Sequence, residues 1–200
     1  EVVLESSCII NYIDDAFDGA GLKPDNPIGV ARTWWWMKRA DECLPMIGTL
    51  TYTVSMRPKF LKLSKEEIEK HLDGMPIASA RARRKAMIEE GFDNPGFSQA
   101  LEGLQKMISD MEKALSKTEW LATNQYTLGD LAITPLIERL HELKCDEMIS
   151  KNPGVADWWD RIQARPSYEA CLGPTPNPET PLHNEAGTKA WPEIKNHLSA

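Results

Sequence analysis

Glu5 and Ser6 put a carboxylate and a hydroxyl where a short apolar run, Val2-Val3-Leu4, meets an apolar-periodic helix. The first turn of a helix leaves four backbone N–H groups without intrahelical partners and carries a partial positive charge. That corner is therefore suited to gripping a carboxylate of a small ligand, with the Ser6 hydroxyl as a further contact. The plainer use of Ser6 is as an N-cap, where serine is a favoured residue. Cys8 stands on the same turn and is the one thiol placed to act there as a nucleophile. Cysteine also packs as a small apolar side chain, and that is its commoner role.

Thr127 and Asp130 have the spacing of an N-terminal box. The hydroxyl is expected to accept from the Asp130 N–H while the carboxylate returns to the Thr127 N–H. Because the following residues are apolar on more than one face, this helix start is expected to be buried. Losing the cap there costs at the upper end of roughly 0.5–2 kcal/mol, so the pair reads as structure rather than chemistry. Trp34, Trp35 and Trp36 are consecutive. On a helix they point about 100° apart, so at least one must face something other than the core, and domain or subunit packing is the simplest use of two of them. The basic run Arg81 to Lys85 reads as a solvated face pairing with Glu89 or Glu90, and the four histidines have no ligand or catalytic spacing.

The elements that must position these residues follow from periodicity and punctuation. Ile9, Ile10, Ile13 and Phe17 recur at helical spacing until Asp18-Gly19 and Gly21 end the helix. Val2 to Leu4 reads as a strand, one that needs partner strands this chain does not clearly supply, so the N-terminus looks truncated. Leu22 to Pro27 is a linker. A long helix then runs from Ile28 to about Leu50, bent by Pro45, with a break at Arg57-Pro58. Ser64-Lys65-Glu66-Glu67 is a capping box opening a short helix, and a basic helix follows Pro76 and ends near Gly91. Ala100, Leu101, Leu104, Met107, Ile108, Met111 and Leu115 mark a core-facing helix, and the apolar helix after Asp130 the central one. Pro153-Gly154 opens another, stopped by Arg165-Pro166. Four prolines between Gly173 and Pro181 predict an extended tail with a short helix near Trp191.

At 200 residues and a net charge of −7, the chain is long enough for a sizeable core and carries the wrong sign for nucleic acid or an anionic membrane. Its four cysteines lie far apart without metal spacing, and no hydrophobic leader precedes them, which makes the cytoplasm the default location.

In this order, these features resemble the glutathione S-transferase family. Glu5-Ser6 matches the family's acidic or amide residue plus serine that holds the γ-glutamyl part of glutathione. Asp41-Glu42 with Leu44-Pro45 resembles the pattern on its first long all-helical-domain helix, Tyr126 to Asp130 its buried capping box, and Pro153 to Trp158 through Arg165-Pro166 its closing segment. Val3 to Ser7 running into Tyr12 to Phe17, with an extra helical segment between Met56 and Phe92, is most similar to the bacterial β-etherase branch, which uses glutathione to cleave aryl ethers.

The resemblance implies a mainly α fold: a glutathione-transferase C-terminal helical bundle carrying the last strand and helix of a thioredoxin-like domain. Residues 1–21 would be the remnant of that glutathione-binding domain, 22–26 the linker, 27–173 the all-helical domain and 174–200 a Pro-rich tail. It further implies glutathione as cosubstrate bound by Glu5 and Ser6, and a hydrophobic or aromatic electrophile in a cleft bordered by Trp34 and Trp35. A homodimer is implied too, as is a thiol-activating residue upstream of Glu1, without which this chain alone is expected to be inactive. The alternative is a noncatalytic module of the same fold used in protein assembly.

Overall fold

Apolar side chains recurring every 3.6 residues produce helices wherever the sequence carries them. The structure, a computed structural model, describes residues 2–19, 21–172 and 177–199, and among these are eleven α-helices, one π-helix, a short 3₁₀ turn and no strand. The mainly α class is as expected, whereas the strand at Val2-Val3-Leu4 is not present: these residues are irregular, with Val2 85% and Leu4 70% exposed. A strand's N–H and C=O groups need a neighbouring strand, and none among the described residues provides one.

One compact unit comprises Glu1–Leu44, Gln105–Glu138 and Asp146–Pro176. It contains α1 (Ser6–Ala16), the first part of α2 (Pro27–Thr51), the second half of α6 (Pro95–Leu115), most of α7 (Leu128–Glu142), and α8 (Asp146–Ser150), α9 (Pro153–Gln163) and α10 (Pro166–Leu172). Its core gathers Trp36, Met37 and Cys43 of α2, Met107 and Met111 of α6, Ile133, Leu136 and Ile137 of α7, and Val155, Trp158 and Ile162 of α9. The start of α9 is held by a carboxylate from another helix: Glu112 accepts from the N–H of Gly154 at 3.2 Å and of Val155 at 3.0 Å. Those are two of the donors that a helix start leaves over.

The second unit comprises Pro45–Leu104, Arg139–Cys145 and Asn177–Ala200. Here the chain does not break at Arg57-Pro58. It widens into the π-helix Tyr52–Met56 and continues into α3 (Arg57–Phe60), where Pro58 sits in the first turn and needs no N–H partner. The capping box opens α4 (Lys65–Asp73) as expected, with the Ser64 N–H donating to Glu67 at 2.8 Å and the Glu67 N–H to the Ser64 hydroxyl at 3.2 Å. The basic run lies on α5 (Ala78–Glu90) but pairs with α4 rather than with Glu89 or Glu90: Lys85 meets Glu69 at 2.6 Å and Arg81 meets Asp73 at 3.7 Å. Arg84 instead lies over the Tyr52 ring, 3.8 Å from its centroid.

Residues 173–176 of the expected tail lie outside the described residues. From Thr180 onward the chain is not extended but forms α11 (Thr180–Ser199), 20 residues long. Pro181 falls in its first turn, where proline is tolerated, and the buried Ile194 and His183 give it an inner face. His183 is 2% exposed, with Nδ1 at 3.0 Å from the Ser55 hydroxyl, which itself donates to the Thr51 carbonyl at 2.8 Å. Since the serine proton is used there, His183 must be the donor to Ser55.

Burial, with Arg139 nearby, lowers the His183 pKa below its ordinary value. The unfolded chain then takes up this proton more readily than the folded one. The stabilisation is complete above the unfolded pKa of about 6.5 and is lost as pH falls below it towards the folded value. Melting temperature is therefore expected to fall between about pH 7.5 and about pH 5.5, and to fall less in His183→Asn, whose amide can still donate to Ser55 but cannot titrate. Identical slopes in the two proteins would assign the effect to other groups.

Candidate functional site

The turn that begins α1 is held in an unusual conformation. Glu5 precedes the helix with φ 68° and ψ 128°, on the side of φ that favours glycine. A non-glycine residue kept there costs of order 1–3 kcal/mol and persists only where the surroundings enforce it, commonly at ligand sites. The Glu5 carbonyl accepts the first helical bond, from the Ile9 N–H at 2.9 Å. The N–H groups of Ser6, Ser7 and Cys8 precede that ladder. Ser6 is the first helical residue rather than the cap, no side chain caps α1, and Ser6 is exposed. Ser6 does not serve as the N-cap, and its hydroxyl stands beside N–H groups that have no acceptor within the helix, at its positive end.

Other residues fix this corner in place. The Ser7 hydroxyl, in a residue 8% exposed, donates to Asp41 of α2 at 2.7 Å. At the far end of α1, Asp14 accepts from the Leu22 N–H at 2.8 Å, Asp15 pairs with Lys23 at 2.5 Å, and the Leu22 carbonyl accepts from Leu128 at 3.2 Å. The Ser7–Asp41 bond spans 34 positions, and its only signal in the sequence is the pattern containing Asp41. Cys8, expected to pack, is exposed.

The three tryptophans go three ways. Trp36 is 3% exposed and donates through Nε1 to the Leu121 carbonyl at 2.8 Å. Gly129 permits that approach, since a Cβ there would stand 3.0 Å from the Trp36 Cβ. Trp34 lines a cavity of only about 10 Å³ with Asn11 of α1, Met37 and Leu128, barely the room of one water. Trp35 packs edge-on against Trp36, with centroids 4.7 Å apart at 88°, and opens on a different cavity of about 410 Å³. The two indoles that the sequence grouped at one cleft thus line separate spaces.

Asp130 is fully buried and does more than close a box. Its Oδ2 accepts from the N–H and the hydroxyl of Thr127, both at 2.9 Å, and its Oδ1 from the Leu121 N–H and Trp158 Nε1, also both at 2.9 Å. The Thr127 hydroxyl accepts from the Gly129 N–H at 3.2 Å rather than from Asp130, one residue short of the expected partner. Burial raises the Asp130 pKa, and the four donors work against that rise. This carboxylate organises the interior of its unit and is not open to a ligand.

Residues 74–166 match the glutathione S-transferase C-terminal domain family. Over 178 residues the chain is 30% identical to the protein LigF of Sphingobium sp. strain SYK-6, covering 84% of this chain and 68% of that protein. The chain belongs to the glutathione transferase family. It is also 28% identical over 147 residues to glutathione S-transferase TCHQD of Arabidopsis thaliana, covering 69% of this chain and 54% of that one. The crystal structure of beta-etherase LigF superposes with a TM-score of 0.74 at 25% identity, covering 88% of this chain and 75% of the other. Within this chain, the matched segment runs from just after α4 to the start of α10. It includes Thr127, Asp130 and Trp158, whereas Glu5, Ser6, Trp34 and Trp35 lie before it. No helix among the described residues is long and apolar enough to cross a membrane.

Proposed function

We propose that the protein uses the glutathione thiolate to attack an electrophilic carbon, with Ser6 and the free N–H groups of α1 holding the γ-glutamyl carboxylate and the Glu5 carboxylate meeting its ammonium. The observation that carries this reading is the forced left-handed conformation of Glu5 next to an uncapped, exposed Ser6. A plain helix start needs neither. The likeness to a protein described as a beta-etherase supports an aryl β-ether as the electrophile. In that reaction the sulfur–carbon bond forms as the carbon–oxygen bond breaks, and the aryloxide leaves with the electron pair and takes up a proton. Trp34, beside Asn11 of the anchor helix, is the indole we place towards that substrate, over its exposed edge because the cavity beneath is too small to enter. The residue that activates the thiol is not assigned to this chain, and a homodimer is proposed for the complete protein, to be checked by sedimentation.

Isothermal titration of the complete protein with glutathione and with cysteinylglycine, which lacks the γ-glutamyl part, tests the anchor. Glutathione is expected to bind at least about tenfold more tightly, since each hydrogen bond to a charged group is worth about 1.5–3 kcal/mol. Equal affinities would remove Glu5 and Ser6 from the site, and no binding of either would favour the assembly-module alternative.

A further inference from the structure

α11 is fastened along one face and at both ends. His183, Gly187, Ile194 and His197 are spaced four, seven and three residues apart, which puts them on a single stripe of the helix. Near the start, His183 donates to the Ser55 hydroxyl of the π-helix. Near the end, His197 has Nδ1 3.2 Å from the Ser98 hydroxyl and stands edge-on to Phe97, with ring centroids 5.3 Å apart. Between the two, Ile194 is fully buried, and a Cβ on Gly187 would overlap the Leu143 carbonyl, so the helix lies directly on the backbone just after α7.

A second proton on each ring would meet different surroundings. His183 is buried, and the groups facing it are Arg139 and Glu142 of α7, Lys59 of α3 and Glu179, just ahead of α11. Both carboxylates already have partners. Glu142 has Arg139 at 3.0 Å and the Thr180 hydroxyl, and Glu179 has Lys59 at 3.4 Å while standing 4.0 Å from His183 Nε2. A charge on this ring would be shut away from water beside two cations. The His197 side chain is 22% exposed, with Glu193 3.7 Å from Nε2, so a charge there meets water and a carboxylate. Pro192 separates the two fastenings. It has no N–H, so the Thr188 carbonyl loses its ladder partner and the helix has its weakest joint between His183 and His197.

We propose that residues 180–191 are an acid-released strap: protonation of His183 lifts them off Ser55 and the Leu143 backbone, while the part of α11 beyond Pro192 stays seated through Ile194 and His197. An open strap returns the His183 ring to water, where a histidine titrates at about 6.5. About ten in eleven open molecules then carry the extra proton at pH 5.5, against about one in eleven at pH 7.5, so the open population rises by up to about tenfold between them. The release is local, with the rest of the unit folded, and it does not depend on glutathione being held at Glu5 and Ser6.

Amide hydrogen exchange of the full chain, corrected for the intrinsic effect of pH on the exchange rate, tests the proposal. From about pH 7.5 to about pH 5.5 the protection of residues 184–191 is expected to fall about threefold to tenfold, while that of residues 194–198 and of Leu101 and Leu104 in α6 holds. His183→Asn should abolish the fall, and His197→Asn should leave it in place. Pro192→Ala, which keeps His183, should spread the fall to residues 194–198, because a continuous helix opens as one piece. Unchanged protection of residues 184–191, an equal fall at Leu101 and Leu104, or a fall that persists in His183→Asn would each overturn the strap. A fall still confined to residues 184–191 in Pro192→Ala would overturn the joint at Pro192.

Discussion

Asp130→Ala is expected to destabilise its unit by about 3–5 kcal/mol, more than an ordinary cap is worth. The substitution strands four donors: the N–H groups of Leu121 and Thr127, the Thr127 hydroxyl and the Trp158 indole N–H. None can turn to water, because Leu121, Thr127 and Trp158 are themselves 2% exposed or less. Thr127→Ala, which removes a hydroxyl with its bonds to Asp130 and to the Gly129 N–H but leaves Asp130 its three other donors, should cost about 1–2 kcal/mol. Asp130→Asn keeps the shape but turns an NH₂ towards donors on one side, so it should fall between the two. Urea midpoints at constant m value measure all three. Equal losses for Asp130→Ala and Thr127→Ala would mean that the Leu121 and Trp158 bonds contribute little.

In the complete protein, Ser6→Ala is expected to raise the KM for glutathione roughly tenfold or more, the worth of one hydrogen bond to a charged group. The γ-glutamyl carboxylate is remote from the sulfur and is held equally in ground and transition states, so kcat should change much less than KM. Glu5→Gln should act in the same direction if the carboxylate meets the ligand's ammonium, and hardly at all if only the Glu5 backbone matters. Because Ser6 caps nothing in the structure, its loss should leave the melting temperature unchanged. A lower melting temperature with unaltered KM would return Ser6 to a purely structural role.

Local patterns were legible to the extent that local forces decide them. The stripe Leu101, Leu104, Met107, Ile108 and Met111 gave α6 because helix periodicity alone selects the buried face, and the Ser64–Glu67 box is complete within four residues. Val2-Val3-Leu4 has the composition of a strand yet forms none, because a strand is defined by neighbours, which three apolar residues cannot specify. The prolines of the C-terminal region were read as breakers, although Pro181 falls in the first turn of α11, where it does no harm. Thr127 and Asp130 were recognisable as a pair, but the bond to Trp158 spans 28 positions and has no local signature. The same holds for the tryptophans: the 100° step shows that Trp34, Trp35 and Trp36 diverge, yet which one meets Leu121 depends on a loop 85 residues away. The backbone angle of Glu5 leaves no trace in residue type at all.

The π-turn at Tyr52–Met56 amounts to a phase change written into one continuous rod. A bond ladder that steps by five instead of four takes in one residue more than an α-turn, so everything after Met56 is indexed one position, or about 100°, differently from a straight continuation of α2. Deleting a single residue between Tyr52 and Val54 would let the rod close into regular α-helix with every backbone bond satisfied. The side chains after Met56 would then keep their present directions, because the π-turn already absorbs the extra residue; straightening the rod with all its residues kept would instead turn them by that angle and carry the whole of α3 out of step with its surroundings. A straight helix of unchanged length would be better formed locally and wrongly aimed, which makes the π-turn a rotational setting rather than a flaw.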